Sequence, residues 1–153
     1  MNIKIGTVIR WDNFPSQRFG STIKARWFIC LGFSGIFAQI ATVYLSTTTT
    51  QLQHFKDDGK RSGHSHFIFE TKQFPLFEQD CAIDFDEPIY PTKESLLNKR
   101  SKNIEIRGEL KVETMRMLYK RFSQSPQLSR KVLLDIHDSY NKAGITGLKK
   151  PKK

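Results

Sequence analysis

Apolar positions along this chain follow two rhythms. Up to about residue 107 they come in short runs rich in β-branched and aromatic residues, as strands are. From Val112 onward they recur every three to four positions, as on one face of a helix. The longest apolar run is "WFICLGFSGIFAQIATVYLSTTTT", Trp27–Thr50, and no charge interrupts the chain between Arg26 and His54. Gly32, Ser34, Gly35, Gln39 and Thr42 break it, and "GFSG" divides it into "RWFICL" and "IFAQIATVYLSTTT". A bilayer span needs about 20 continuous apolar residues. Two strand-length runs either side of a glycine-bracketed turn instead predict a β-hairpin, with the turn at "GFSG". The first run is apolar almost without a break, which predicts a strand buried on both faces.

The same pattern places the other elements. "KIGTVIRW" (Lys4–Trp11) predicts an opening strand, and the polar, Pro- and Gly-marked stretch Asp12–Ala25 a long loop. "HFKDDGKRSGHS" predicts a hydrophilic loop; "HFIFE" (His66–Glu70), "CAIDF" (Cys81–Phe85) and Asn103–Arg107 predict three short strands. In "KVETMRMLYKRF", Val112, Met115, Leu118 and Phe122 share one helical face. Ser125 and Pro126 offer an N-cap and first-turn proline for a second helix. Its apolar stripe is Leu128, Val132, Ile136 and Tyr140, and Gly144 is its stop. The outline is a mainly β chain, a small antiparallel barrel of five or six strands, with helices at its C-terminal end. A chain of 153 residues fits one domain with its own core.

Charge sharpens this outline. Residues 1–90 hold 9 Lys/Arg and 9 Asp/Glu, whereas residues 91–153 hold 16 and 6, so the whole net charge of +10 lies in the second part. Such an end favours an anionic partner, or is a solvated face with a frayed "LKKPKK" tail. Cys30 and Cys81 each sit in an apolar run at no metal spacing, as buried free thiols do, which suits a reducing cytosol. "MNIKIGTVIRW" lacks the apolar core of a signal peptide.

Common catalytic signatures are absent: there is no Gly-rich phosphate loop, Gly-x-Ser-x-Gly elbow or His-Glu-x-x-His. His64 and His66 would share a strand face, but no ligand stands at a recognised spacing from them, so no metal is expected. "DFDE" (Asp84–Glu87) reads as an acidic strand end.

The order of segments carries more information. "KIGTVIRW", "GSTIKARWFICL", "TVYLSTTT", "RSGHSHFIF", "LFEQDCAIDFDEPIY" and "IEIRGELKVETMRML" resemble, in order, successive segments of the PemK/MazF family of toxin endoribonucleases. The resemblance implies an SH3-like barrel over residues 1–123 with an additional helix and basic tail, 124–153, packed on it. It implies a homodimer in the cytoplasm, no cofactor, and metal-independent cleavage of single-stranded RNA by attack of the ribose 2′-hydroxyl. An acidic antitoxin is the implied protein partner. The family's catalytic arginine matches Arg26, and its threonine matches Thr49 or, one place away, Thr48. A guanidinium and a hydroxyl suit this chemistry because cleavage builds negative charge on phosphoryl oxygens. Lys24 and Arg61 would follow backbone phosphates, and Trp27, Phe19 or His66 would stack on bases. Two departures stand out: Arg26-Trp27 replaces the family's Arg-Pro, and the second helix extends the usual domain. The alternatives are a non-catalytic RNA- or protein-binding module of the same fold, and a toxin acting on a protein target such as a topoisomerase.

Overall fold

The computed structural model describes residues 2–14, 25–36 and 39–151. Seven strands form one curled antiparallel sheet: β1 (Thr7–Trp11), β2 (Arg26–Ile36), β3 (Gln39–Thr49), β4 (His66–Phe69), β5 (Cys81–Asp84), β6 (Tyr90–Lys93) and β7 (Ile104–Glu109). The order across it is β4-β5-β3-β2-β1-β7, with β6 on β3 beside β5. Among the described residues there are three α-helices: α1 (Glu94–Lys99), α2 (Val112–Phe122) and α3 (Arg130–Lys142). The protein is thus mainly β, with a half-barrel sheet and the longer helices at the C-terminal end. None of the described helices is long and apolar enough to cross a membrane.

The charge-free run is the β2–β3 hairpin, and its lack of charge reflects burial on both faces. Ile29, Leu31 and Tyr44 enter one cluster with Phe69, Ile83, Met115, Leu118, Phe122, Ile136 and Tyr140. Phe28, Cys30, Val43 and Leu45 enter a second with Ile9, Trp11, Leu97 and Ile104. Fully burying such side chains contributes about 1.5–3 kcal/mol each, so the central strands anchor the fold.

The hairpin turn is not at "GFSG", which lies within β2. The register shifts between Cys30 and Gly32 and again between Ser34 and Gly35, so these small residues serve bulges instead of a turn. Gly32 has a further role. A Cβ there would lie 3.1 Å from Ile136 Cα and 3.2 Å from Ser139 Oγ, so its bare backbone lets α3 pack directly on the sheet. Ser139 Oγ accepts from Phe33 N at 2.9 Å and has Phe33 O and Asp135 O at 3.1 and 2.7 Å. Tyr44 donates its phenol proton to Asp135 Oδ2 at 2.7 Å, a second tie between sheet and helix.

Other boundaries move too. The N-cap of α3 is Ser129, whose hydroxyl accepts from Val132 N; Ser125, four residues earlier, is buried and accepts instead from Gln127 N. Gly144 does stop the helix, at φ +84°. Val112 is half exposed because it opens α2 beyond the edge of the core, whereas Met115, Leu118 and Phe122 are buried. β6 and α1 were not anticipated. The chain 145–149 is not frayed: Ile145 is buried, and Arg116, Tyr119 and His137 bond the carbonyls of Thr146, Lys149 and Leu148.

Candidate functional site

At its far end β3 changes partner. It pairs with β2 as far as Phe28↔Thr47, and with β5 through Thr48↔Ile83 and Thr49↔Ala82. β-Branched threonines suit such a crossing between neighbouring strands, because they hold an extended backbone while their hydroxyls satisfy local donors and acceptors. Thr47 Oγ1 donates to Trp27 O at 3.3 Å, and Thr49 Oγ1 accepts from Gln51 N at 3.1 Å.

The alternation of a strand separates the two threonines proposed from the sequence. Thr48 lies on the same face as Ile83, and its hydroxyl is engaged with the thiol of Cys81. Thr49 is on the opposite face, with Ala82. The pairing of β2 with β3 ends at Phe28↔Thr47, two residues short of Arg26. Arg26 itself opens β2 and pairs in register with Trp11 of β1. Thr49 thus faces away from the Ile83 side of the sheet, and among the described pairings its partner is Ala82 of β5, whereas that of Arg26 is Trp11 of β1.

A small cleft opens beside this crossing. Thr47, Thr48, Thr49, Arg61, Asp84 and Glu87 contribute to its walls, and its volume of about 20 Å³ holds a single water. Arg61 thus joins the threonines, but its guanidinium is committed: Nη1 lies 3.5 Å from Asp84 Oδ2 and Nη2 3.6 Å from Glu87 Oε1. Asp84 is the most buried charged residue here, at 4% side-chain exposure. It also takes His64 Nδ1 at 2.7 Å and accepts from Asp86 N at 2.9 Å. Asp86 in turn accepts from Ser65 N, and Arg121 donates to Ser65 Oγ at 2.6 Å while its guanidinium covers the ring of Phe85. The loop before β4 is therefore stapled to the end of β5.

His64 Nδ1 and carboxylate oxygens of Asp84 and Asp86 lie within 4.8 Å of one another. They form a hydrogen-bonded staple and not a cation cage, because the Arg61 guanidinium already stands against the Asp84 oxygen that faces His64.

The remaining sequence candidates fall in three places. His66 opens β4, stacks on Phe55 with ring centroids 4.3 Å apart, and donates from Nδ1 to His64 O. Trp27 packs against Phe77 and lies under the Arg107 guanidinium, 5.2 Å from its ring centroid, away from the cleft. Lys24 and Phe19, like most of the expected loop Asp12–Ala25, lie outside the described residues. Only His66 of the two histidines is in the strand; His64 belongs to the loop. The partnership of His64 with Asp84 was missed because 20 residues separate them, and "DFDE" read as a solvated strand end although Asp84 is 6% exposed.

Burial pushes both thiols up, to about 12, so neither Cys30 nor Cys81 is a nucleophile. Compared with protein-family models, curated proteins and solved structures, the chain matches none.

Proposed function

We propose that the protein is a metal-independent endoribonuclease acting on single-stranded RNA, on an SH3-like barrel of the PemK/MazF type, and the toxin half of a toxin–antitoxin pair. The observation that supports this reading most is the crossing of β3 from β2 to β5. It takes Thr49 just past Phe28↔Thr47, the last β2 pairing, which would leave its hydroxyl near the end of the sheet where Arg26 opens β2. A guanidinium and a hydroxyl brought together in this way would stabilise the charge that builds on a phosphoryl group as the ribose 2′-hydroxyl attacks. The cleft is too small to enclose a nucleotide, so the RNA would lie across its rim. The charge excess of residues 91–153 supports an anionic substrate and an acidic antitoxin. A homodimer working in the cytoplasm completes the proposal.

One observation favours a second reading, a non-catalytic module of the same fold. Arg61 is held by Asp84 and Glu87, so the guanidinium of the cleft is committed to carboxylates and not to a reacting phosphate. Cleavage of a mixed single-stranded RNA pool in EDTA separates the two. Wild type should cut, and Arg26→Ala should cut about 10²–10³-fold more slowly, the usual effect of removing one oxyanion donor. Absence of cutting by wild type, with RNA retained in a salt titration, would establish the module instead. Equal cutting by both proteins would remove Arg26 from the site.

A further inference from the structure

Attack by a 2′-hydroxyl needs a group to take its proton, and neither Arg26 nor Thr49 can serve as a base at neutral pH. We propose that His64 is that base and Asp84 the residue that positions it, an inference that rests on the endoribonuclease reading.

The geometry fixes the tautomer. Asp84 accepts from Asp86 N through Oδ1, and its Oδ2 lies 2.7 Å from His64 Nδ1. A carboxylate oxygen accepts, so Nδ1 donates to it and Nε2 is the nitrogen left to face a substrate. The two side chains differ sharply in exposure, 34% for His64 and 4% for Asp84. A buried carboxylate thus holds an accessible imidazole by its inner nitrogen and leaves the outer one for chemistry, the division of labour that orients catalytic histidines in hydrolases. Asp84 also lines the threonine cleft, and it lies two residues along β5 from Ala82, the register partner of Thr49. Among the described residues, Asp84 and Asp86 bring oxygens within 4.8 Å of a His64 ring nitrogen, Arg61 stands against the Asp84 oxygen facing the ring, and Glu87, Arg121 and His66 bond Arg61, Ser65 and the His64 carbonyl.

In the step itself, His64 Nε2 takes the 2′-hydroxyl proton as the O2′–P bond forms and the P–O5′ bond breaks. The leaving 5′-oxygen regains a proton from the imidazolium, so the products are a 2′,3′-cyclic phosphate and a 5′-hydroxyl. One proton enters and leaves His64, no electron changes hands and no co-reactant is needed.

Two measurements on the full chain test this. Long-range ¹H–¹⁵N correlation spectra of the wild-type protein should show His64 protonated at Nδ1 with a bare Nε2, a pattern that Asp84→Asn disturbs. In single-stranded RNA cleavage, His64→Gln should lower kcat about 10²–10⁴-fold with KM little changed. Imidazole added to His64→Ala should restore part of the rate, which a folding defect would not allow. The inference is overturned if wild type cuts while His64→Gln keeps the same rate and pH profile, or if His64 carries its proton on Nε2. If wild type does not cut at all, the endoribonuclease reading fails and takes this assignment with it, an outcome distinct from the other two.

Discussion

Ser139 is the residue through which α3 holds the centre of the sheet, and Ser139→Ala isolates that contact. The hydroxyl accepts from Phe33 N at 2.9 Å, beside the register shift in β2, and is 8% exposed as a residue. Alanine leaves the Phe33 amide without this acceptor in a part-buried site, which costs about 1–3 kcal/mol. Against this, alanine is the better helix former by about 0.5 kcal/mol. The lost methylene-to-hydroxyl volume is small, so no cavity term enters. The net expectation is about 1–2 kcal/mol of destabilisation. For a chain of 153 residues that is a fall in Tm of about 2–8 °C. Urea unfolding followed by circular dichroism measures the free energy, and amide hydrogen exchange locates it. The Phe33 amide should exchange faster in the variant, while amides in β4 and β5 keep their relative protection. Unchanged stability together with an equally protected Phe33 amide would refute the view that this hydroxyl carries the junction.

Three further outcomes follow from buried groups and from the tail. Tyr140 is fully buried and its hydroxyl has no hydrogen-bond partner among the described residues. Tyr140→Phe should therefore raise stability by about 1 kcal/mol in the same urea assay, and a loss would point to a bridging water. Burial raises the Cys30 and Cys81 thiols from an ordinary 9.0 to about 12, so the folded chain keeps two protons that the unfolded chain releases. Their contribution is fully present below pH 9 and is lost as pH rises toward 12. The slope approaches about 1.4 kcal/mol per pH unit for each thiol, and Cys→Ala at both positions should flatten it. Tyr119→Phe removes the donor to Lys149 O, and trypsin should then cut the Lys149–Lys150 bond several-fold faster, since one such bond is worth about 1 kcal/mol; an unchanged rate would mean that Arg116 and His137 suffice.

How much of this was legible in the sequence differs between elements. The hairpin was, because a strand buried on both faces cannot carry charge, and the run from Trp27 to Gln53 carries none. Its turn was not. "GFSG" has the composition of a turn, but its first glycine answers a helix more than 100 residues away, and no local pattern records that contact. The same holds for Ser125 and Ser129: both are good N-caps, and only packing of Leu128 into the core decides between them. At the site, Arg26 and Thr49 could be matched by resemblance but not by register arithmetic, because "GFSG" is not the turn and two shifts in β2 break the count. The staple of His64, Arg61 and Asp84 could not, because it depends on how a loop folds back over β5. Thr48 and Thr49 are equivalent as letters in a tract of four threonines. The sheet distinguishes them by sending one hydroxyl inward to Cys81.

The contact between Phe33 and Ser139 spans 106 positions, and β1 likewise waits for β7, its partner at the far end of the strand sequence. During synthesis the hairpin leaves the ribosome long before either cover exists. Until α3 follows, one face of β2 presents Ile29 and Leu31 to whatever surrounds the nascent chain. Contacts of such long range also slow folding in a released chain. The assembly order is therefore imposed by position: among the described elements, the helix that seals the β2–β3 hairpin comes after every strand. A chain stopped before residue 130 would hold all seven strands and still lack the lid of its core.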